Sequence, residues 1–342
     1  VAWVPALGAW LVLTRERALE VMRDDATFTV DDPRFTTGRV VGPSMLTLDG
    51  AEHVRHRAAF APPFRRDAVL ERFTPLVEAE AERLAAALSS GDDVRRGFAG
   101  PLAAAIVTHA LGLGAVGAER VLGWYGAIVA AVTDLTAGRP LPKDGEEGFA
   151  ALRVAMLELA EQDSLFAEAA LGLGDEEAVS NAAVLLFGGI ETTEGMIANA
   201  LWHLLSNPGE LARVRDDPVF LSGAVEESLR LEPAAATIDR YATRDAGPVS
   251  AGDLVTISIA AANRDPAVFE DPDRFDAGRA NARLHLAFAH GPHVCIGMHL
   301  ARLEAHTALR VLLERMPRAS LAEPTAPRGL VFRKPPSLRI DF

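Results

Sequence analysis

The chain has 342 residues, 49% of them hydrophobic and 24% charged, a balance that suits a globular protein with a sizeable core. Its 34 basic and 47 acidic residues leave a net charge of -13, which repels phosphate backbones and argues against nucleic acid as a partner. A single cysteine, Cys295, excludes an intramolecular disulfide, and no apolar stretch reaches membrane-spanning length, so a cytoplasmic protein without a membrane partner is expected.

In chain order, the apolar run over 9–13 predicts a strand that gives way to a helix. Arg15, Glu16 and Arg17 follow it at once and no basic leader precedes it, so it is not read as an export segment. From 28 to 50, Pro33, Gly38, Gly42, Pro43 and Gly50 predict a long loop. Helical spacing returns over 53–60 and 69–88, punctuated by Pro62 and Pro63. Residues 98–206 are expected to be mostly helical, with breaks across 138–148 and 172–175. The longest apolar-periodic stretch, 182–205, ends at Asn207, Pro208 and Gly209 and predicts a central buried helix. After Glu232 and Pro233, short β-branched runs such as 252–258 predict strands, until a helix follows Cys295. The expected fold is mainly α with a minor β part. It is read as one domain over 1–342, β-rich near 1–15, 233–260 and 320–342 and helical over 50–230 and 295–315.

Cys295 lies in a loop of small residues that runs into an apolar-periodic helix. The helix dipole and nearby His293 favour a thiolate, and Gly291, Pro292 and Gly297 would let backbone approach a flat macrocycle over the sulfur. The plainer alternative is a buried structural cysteine. Zinc held by His290, His293, Cys295 and His299 fits less well, because ligands crowded into one segment lack the usual paired spacing. Within the central helix, residues 187–193 place Gly188, Gly189, Glu191, Thr192 and Thr193 where apolar residues belong. One reading opens the helix at the glycines to admit a small ligand, with Glu191 and Thr192 supplying protons. The other is a glycine-permitted helix crossing, with threonine bonding back to a carbonyl one turn earlier. Glu227 and Arg230 share one helix face, a pairing that contributes only about 0.3 to 0.5 kcal/mol on a surface.

These pieces occur in one order with Arg240 to Thr243, Ala262 to Pro266, Asp271 to Phe275, the loop over 288–297 and, upstream, residues 48–57. Together they resemble the cytochrome P-450 family of haem-thiolate monooxygenases, in its soluble bacterial form. The resemblance covers most of the chain, is strongest over 181–306 and is weakest over 115–175. It implies the cytochrome P-450 fold, with haem b (iron protoporphyrin IX) between the central helix and the cysteine loop. It makes Cys295 the axial iron ligand, sets His53, Arg57, Arg240 and His293 at the haem propionates, and puts Phe288, Gly188 and Gly189 beside the haem. Glu191 and Thr192 match the family's acid and alcohol pair for proton delivery, and Glu227, Arg230 and Arg274 match its buried structural triad. Ala289 stands where the family loop commonly carries glycine.

The family layout also nominates a substrate pocket: Val40, Val41, Met45 and Leu46; Phe187; Ala234, Ala235, Ala236, Thr237 and Ile238; and Val331. Its mostly small and apolar walls imply an apolar organic substrate, although some of these residues are equally suited to filling core. The implied activity takes O2 as co-substrate and inserts one oxygen atom into a small molecule, in bacterial specialised metabolism. No reductase-like segment follows the haem loop, so electrons from NAD(P)H are expected through a separate ferredoxin and ferredoxin reductase. Arg55, Arg65, Arg66 and His299 are the candidate docking face, on a chain expected to be a monomer. Peroxide as oxidant and redirected chemistry (coupling, desaturation, dehydration) stay open, whereas Glu191 beside Thr192 disfavours a non-catalytic haem carrier. The sequence is shorter than family members at its start, where a trimmed segment is an equal explanation, and between 114 and 181 and between 244 and 252; the short middle region predicts a more open distal pocket.

Overall fold

The computed structural model describes residues 1–136, 138–159, 164–323 and 325–342. The first elements are β1 (Ala2–Val4), β2 (Ala9–Val12), α1 (Arg15–Arg23), β3 (Phe28–Thr29), α2 (Thr36–Val41), α3 (Gly50–Phe60), α4 (Arg66–Ala87) and α5 (Gly100–Ala110). The middle holds α6 (Ala118–Thr136), α7 (Lys143–Leu159), α8 (Leu165–Ala170), α9 (Asp175–Ser206), α10 (Pro208–Asp216) and α11 (Val219–Leu231). Then come β4 (Thr237–Ala242), β5 (Leu254–Ser258), α12 (Ile259–Ala262), α13 (Met298–Arg315), β6 (Ser320–Leu321) and β7 (Ile340–Asp341). Helix dominates and the sheet is small, as the hydrophobic periodicity predicts. None of the described helices is long and apolar enough to cross a membrane.

Two compact units divide the chain: Val1–Phe28, Arg72–Leu102 and Glu191–Phe342 form one, and Thr29–Glu71 with Ala103–Ile190 form the other. In the first, the strand order is β1-β2-β5-β4-β3, with β2 parallel to β5 and β4 antiparallel to it, so that Arg240 stands opposite Val255. Beneath the sheet Val12, Met22, Val255, Ile257, Ile259 and Leu286 form one buried cluster. Helix α11 is buried on every side from Ala224 to Leu231. A helix without a solvent face can hold Glu226, Glu227 and Arg230 only if each charge finds a partner inside.

In the second unit the expected loop over 28–50 contains helix α2, which stops at Gly42 in the left-handed region (φ 84°). The expected break across 138–148 is shorter than composition suggests. Gly138 does turn the chain at φ 72°, but Gly145 and Gly148 lie inside α7. A methyl on either would collide with Ala131 (2.4 Å) or Ala127 (2.9 Å) of α6, so these glycines serve close helix packing and not a turn. The central helix α9 begins at Asp175, ahead of its apolar stretch, because Asp175, Glu176 and Glu177 suit the positive end of the helix dipole. It continues without interruption through Gly188 and Gly189.

Candidate functional site

The cysteine loop leaves the core at buried Leu286 and re-enters it at buried Leu300, and Cys295 between them is exposed. Phe288, Pro292, Val294 and Ile296 around it are only half-buried, an apolar floor that a flat hydrophobic group would complete. The loop is pinned across its base by the Cys295 amide, which donates to the Phe288 carbonyl at 2.8 Å. Gly291 has φ 75°, and a Cβ there would sit 2.3 Å from the Met22 carbonyl oxygen, so only glycine fits. Ala289 is also left-handed (φ 57°), which explains why glycine is the expected residue and why alanine is strained there. Gly297 then caps α13.

A layer that the sequence reading missed braces this loop. The Arg302 guanidinium lies 4.5 Å from the Phe288 ring centre and donates to buried Glu226 at 2.6 and 3.0 Å. His285 accepts the Ala287 amide at Nδ1 (3.1 Å), which places its proton on Nε2, 3.1 Å from Glu226. Burial works to raise the Glu226 pKa, but His285 and Arg302 overcome it and hold the carboxyl at about 2. Asn263, fully buried, accepts the Leu286 amide at 2.7 Å and fixes the near end of the loop. The available signal was the pair of adjacent acids, Glu226 and Glu227, in an otherwise apolar helix.

The proposed structural triad needs one correction. Arg230 and Glu227 are both fully buried and bidentate at 2.8 Å, as expected of a structural pair. The second guanidinium on Glu227 comes from Arg279 (2.8 Å), not Arg274. Arg274 is exposed and contributes only its main-chain carbonyl, which accepts from Arg230 and Arg279. The turn after Phe275 decides this, because it brings position 279 back over α11 while position 274 faces out.

On α9 the two glycines play different parts. A Cβ at Gly189 would press on Val107 at 3.2 Å, the helix-crossing role, whereas Gly188 is exposed and faces open space. Glu191 and Thr192 are half-buried, and Glu191 is ion-paired to Lys334 at 2.7 Å. Arg240 is buried on β4 with Nη1 donating to the Asp239 carbonyl at 2.7 Å, and His293 closes the short turn Gly291–His293. In the second unit His53 and Arg57 share a face of α3, and His53 Nδ1 meets the Met45 carbonyl at 2.9 Å, which sets its proton there.

Of the nominated pocket residues, Val41 and Met45 are buried, while Val40, Leu46 and Phe187 are half-exposed. Ala235, Thr237 and Val331 also keep exposed surface. Ile238 is half-buried and packs in part against the cluster under the sheet, and Ala234 is buried with its Cβ 3.0 Å from the Cβ position of Gly195. Arg55 is a poor member of a docking face, since Glu52 (2.7 Å) and Glu177 (2.6 Å) already balance its charge. Among the described residues, the metal-ligating side chains whose donor atoms converge are Glu52, His56 and Glu177, not the histidines around Cys295, and the Arg55 guanidinium already serves as their cation.

A family model described as Cytochrome P450 matches residues 153–318. The cytochrome P450 monooxygenase PikC of Streptomyces venezuelae is 34% identical, over 96% of this chain and 83% of that protein. The crystal structure of P450BioI in complex with hexadec-9Z-enoic acid ligated acyl carrier protein matches with a TM-score of 0.87 at 28% identity, covering 98% of this chain and 92% of that one. Myxobacterial cytochrome P450 CYP267B1 in complex with myristic acid matches at 0.86 and 30% identity, covering 98% and 90%. The chain belongs to the cytochrome P450 family. It is an oxidoreductase of the monooxygenase type, and membership implies a haem cofactor. The exposed Cys295 on its unfinished apolar floor fits such a group.

Proposed function

We propose that this protein is an oxygen-dependent haem-thiolate monooxygenase that inserts one oxygen atom into an apolar organic molecule. The observation that carries the reading is Cys295, exposed at the crest of a loop that three separate contacts hold rigid: its own amide, Gly291 against Met22, and Arg302 on Phe288. Cys295 would hold a haem through its thiolate, and that group would supply the iron for oxygen chemistry, tuned by electron density from the sulfur. Each unit offers groups suited to a propionate, His53 and Arg57 in the second and Arg240 and His293 in the first, cations opposite carboxylates. Thr192 holds a hydroxyl proton at the central helix, and Glu191 resupplies it from solvent, so that protons arrive in order and neither residue is consumed. The proposed substrate contacts are Val40, Val41, Met45, Leu46 and Phe187 in the second unit and, separately, Ala235, Thr237 and Val331 in the first. Relatives solved with fatty acyl ligands support long apolar chains as the first substrates to try. Electrons would come from NAD(P)H through a ferredoxin and its reductase.

The test has two parts. Reduced, carbon monoxide-bound protein should show the red-shifted Soret band of thiolate ligation, and Cys295→His should abolish it; a band unchanged by that substitution would refute the ligand assignment. Thr192→Ala should divert electrons from product to peroxide by about tenfold or more, read with myristic acid or palmitoleic acid as substrate if either shifts the haem to high spin. Unchanged product yield would remove the relay.

A further inference from the structure

Glu191 does not face its neighbours alone. Lys334, from the segment before β7, reaches it at 2.7 Å and at the same time reaches Glu194 at 2.5 Å. Arg95 completes the group at 2.8 Å from Glu194, so two carboxylates and two cations lie together, each side chain at most 16% exposed. Exposed pairs of this kind are often incidental, because long side chains are free to wander. Lys334 is not free in that sense, since its backbone is fastened on two sides.

On one side, residues 331–334 pair with the strip entering β4: the Ala236 amide donates to the Val331 carbonyl at 2.8 Å and the Arg333 amide to the Ala234 carbonyl at 2.9 Å. The Arg333 side chain adds a bond to Glu232 at 2.8 Å. On the other side the same segment lies along α9. The fully buried Asn199 donates its amide to both the Arg333 carbonyl (2.9 Å) and the Glu232 carbonyl (2.8 Å). One turn earlier, Gly195 lets the strap come close, with its Cβ position 3.5 Å from the Arg333 oxygen and 3.7 Å from the Lys334 Cβ. Glu191, Gly195 and Asn199 are four residues apart in turn, so they form one stripe on the helix. The stripe offers an ion-pair partner, a gap and a hydrogen-bond donor to one strap.

We propose that Lys334 is a positioning residue for the acid of the proton pair: it fixes the Glu191 carboxylate on its face of α9, while Glu194 remains a partner for the lysine when Glu191 lets go. This rests on the reading of Glu191 and Thr192 given above. Because Lys334 is shared, release of Glu191 leaves it still bonded to Glu194, and the Glu191 carboxylate can take a proton from solvent, pass it to the Thr192 oxygen as that hydroxyl gives up its own, and return. Without Lys334, Glu191 and Glu194 stand three residues apart and lose the cation they share. Like charges at that spacing repel, and Glu191 loses its fixed position.

The test uses the haem-loaded protein with Lys334→Met, Lys334→Gln, Lys334→Arg and, separately, Glu191→Gln. Lys334→Met should raise the peroxide released per product about tenfold at unchanged KM, and Lys334→Arg should restore coupling to within about twofold. A second readout needs no turnover. In protein carrying 13C at the glutamate carboxyls, the resonance lost in Glu191→Gln should move in Lys334→Met and return in Lys334→Arg. If Lys334→Met does not load haem, Lys334→Gln takes its place in both measurements. Coupling that falls in Glu191→Gln but not in Lys334→Met or Lys334→Gln, or a Glu191 resonance indifferent to Lys334, overturns the positioning role and leaves the proton pair standing. Coupling untouched by Glu191→Gln overturns the proton pair itself, and this inference with it.

Discussion

Replacing Glu304 with glutamine should change how the stability of this protein depends on pH. Glu304 lies on α13, the helix that follows the cysteine loop; it is 4% exposed, and its Oε2 has no hydrogen-bond partner among the described residues. Burial pushes its pKa well above the ordinary carboxylate value, so the folded chain holds its proton to higher pH than the unfolded chain does. In the unfolded chain the same group ionises near pH 4.3. Above that pH the unfolded state binds one proton fewer than the native state, so stability falls as pH rises, by about 1.4 kcal/mol per unit, until the native acid ionises too. Over the pH range in which the unfolded group has ionised and the native acid has not, the native protein should therefore lose stability relative to Glu304→Gln, which has no proton to release. Other titrating groups are common to both proteins and cancel, and a packing cost of the amide adds an offset that does not vary with pH. Urea unfolding at pH 5, 6 and 7, with equal m values in the two proteins, measures the difference. Parallel stability profiles would refute the assignment of a neutral buried acid.

Two further outcomes follow from the same kind of accounting. Arg230→Met leaves Glu227 buried with Arg279 as its remaining guanidinium partner and should cost about 3 to 5 kcal/mol, whereas Arg274→Ala should stay within about 0.5 kcal/mol; equal losses in urea unfolding would return Arg274 to the triad. At the cysteine loop, Ala289→Gly should stabilise the protein by about 1 kcal/mol by relieving a left-handed alanine, while Gly291→Ala should cost far more and impair haem loading. The comparison is made by thermal midpoint and by the haem absorbance retained per chain.

Much of the site was legible because its chemistry is local. A thiol in a glycine-rich turn ahead of a helix, an acid beside an alcohol in an apolar helix, and a carboxylate three residues from a guanidinium are visible as local patterns, and the resemblance to the family gives them their expected roles. What spacing could not show was which distant residue completes each group. Arg279 displaced Arg274 on Glu227 because a turn reverses the chain between them. Glu226, His285 and Arg302 were passed over because each is unremarkable by itself, and only burial makes their meeting obligatory. The family layout makes Ile238 and Ala234 pocket wall, and it carries no sign that Ile238 also packs against the cluster under the sheet or that Ala234 sits against Gly195.

By itself, the sequence determined that the chain is mainly helical, that α9 is its central helix and that Cys295 stands on a turn only small residues can make, because periodicity and backbone sterics act over a few residues. The tertiary structure alone decided that Gly145 and Gly148 pack a helix instead of breaking one, that Arg302 and His285 brace the cysteine loop, and that Lys334 holds Glu191. A contact between residues 191 and 334 carries no local signal; it exists because a backbone strap fastened at Ala234, Ala236 and Asn199 brings a charge to a buried place where it must be paired.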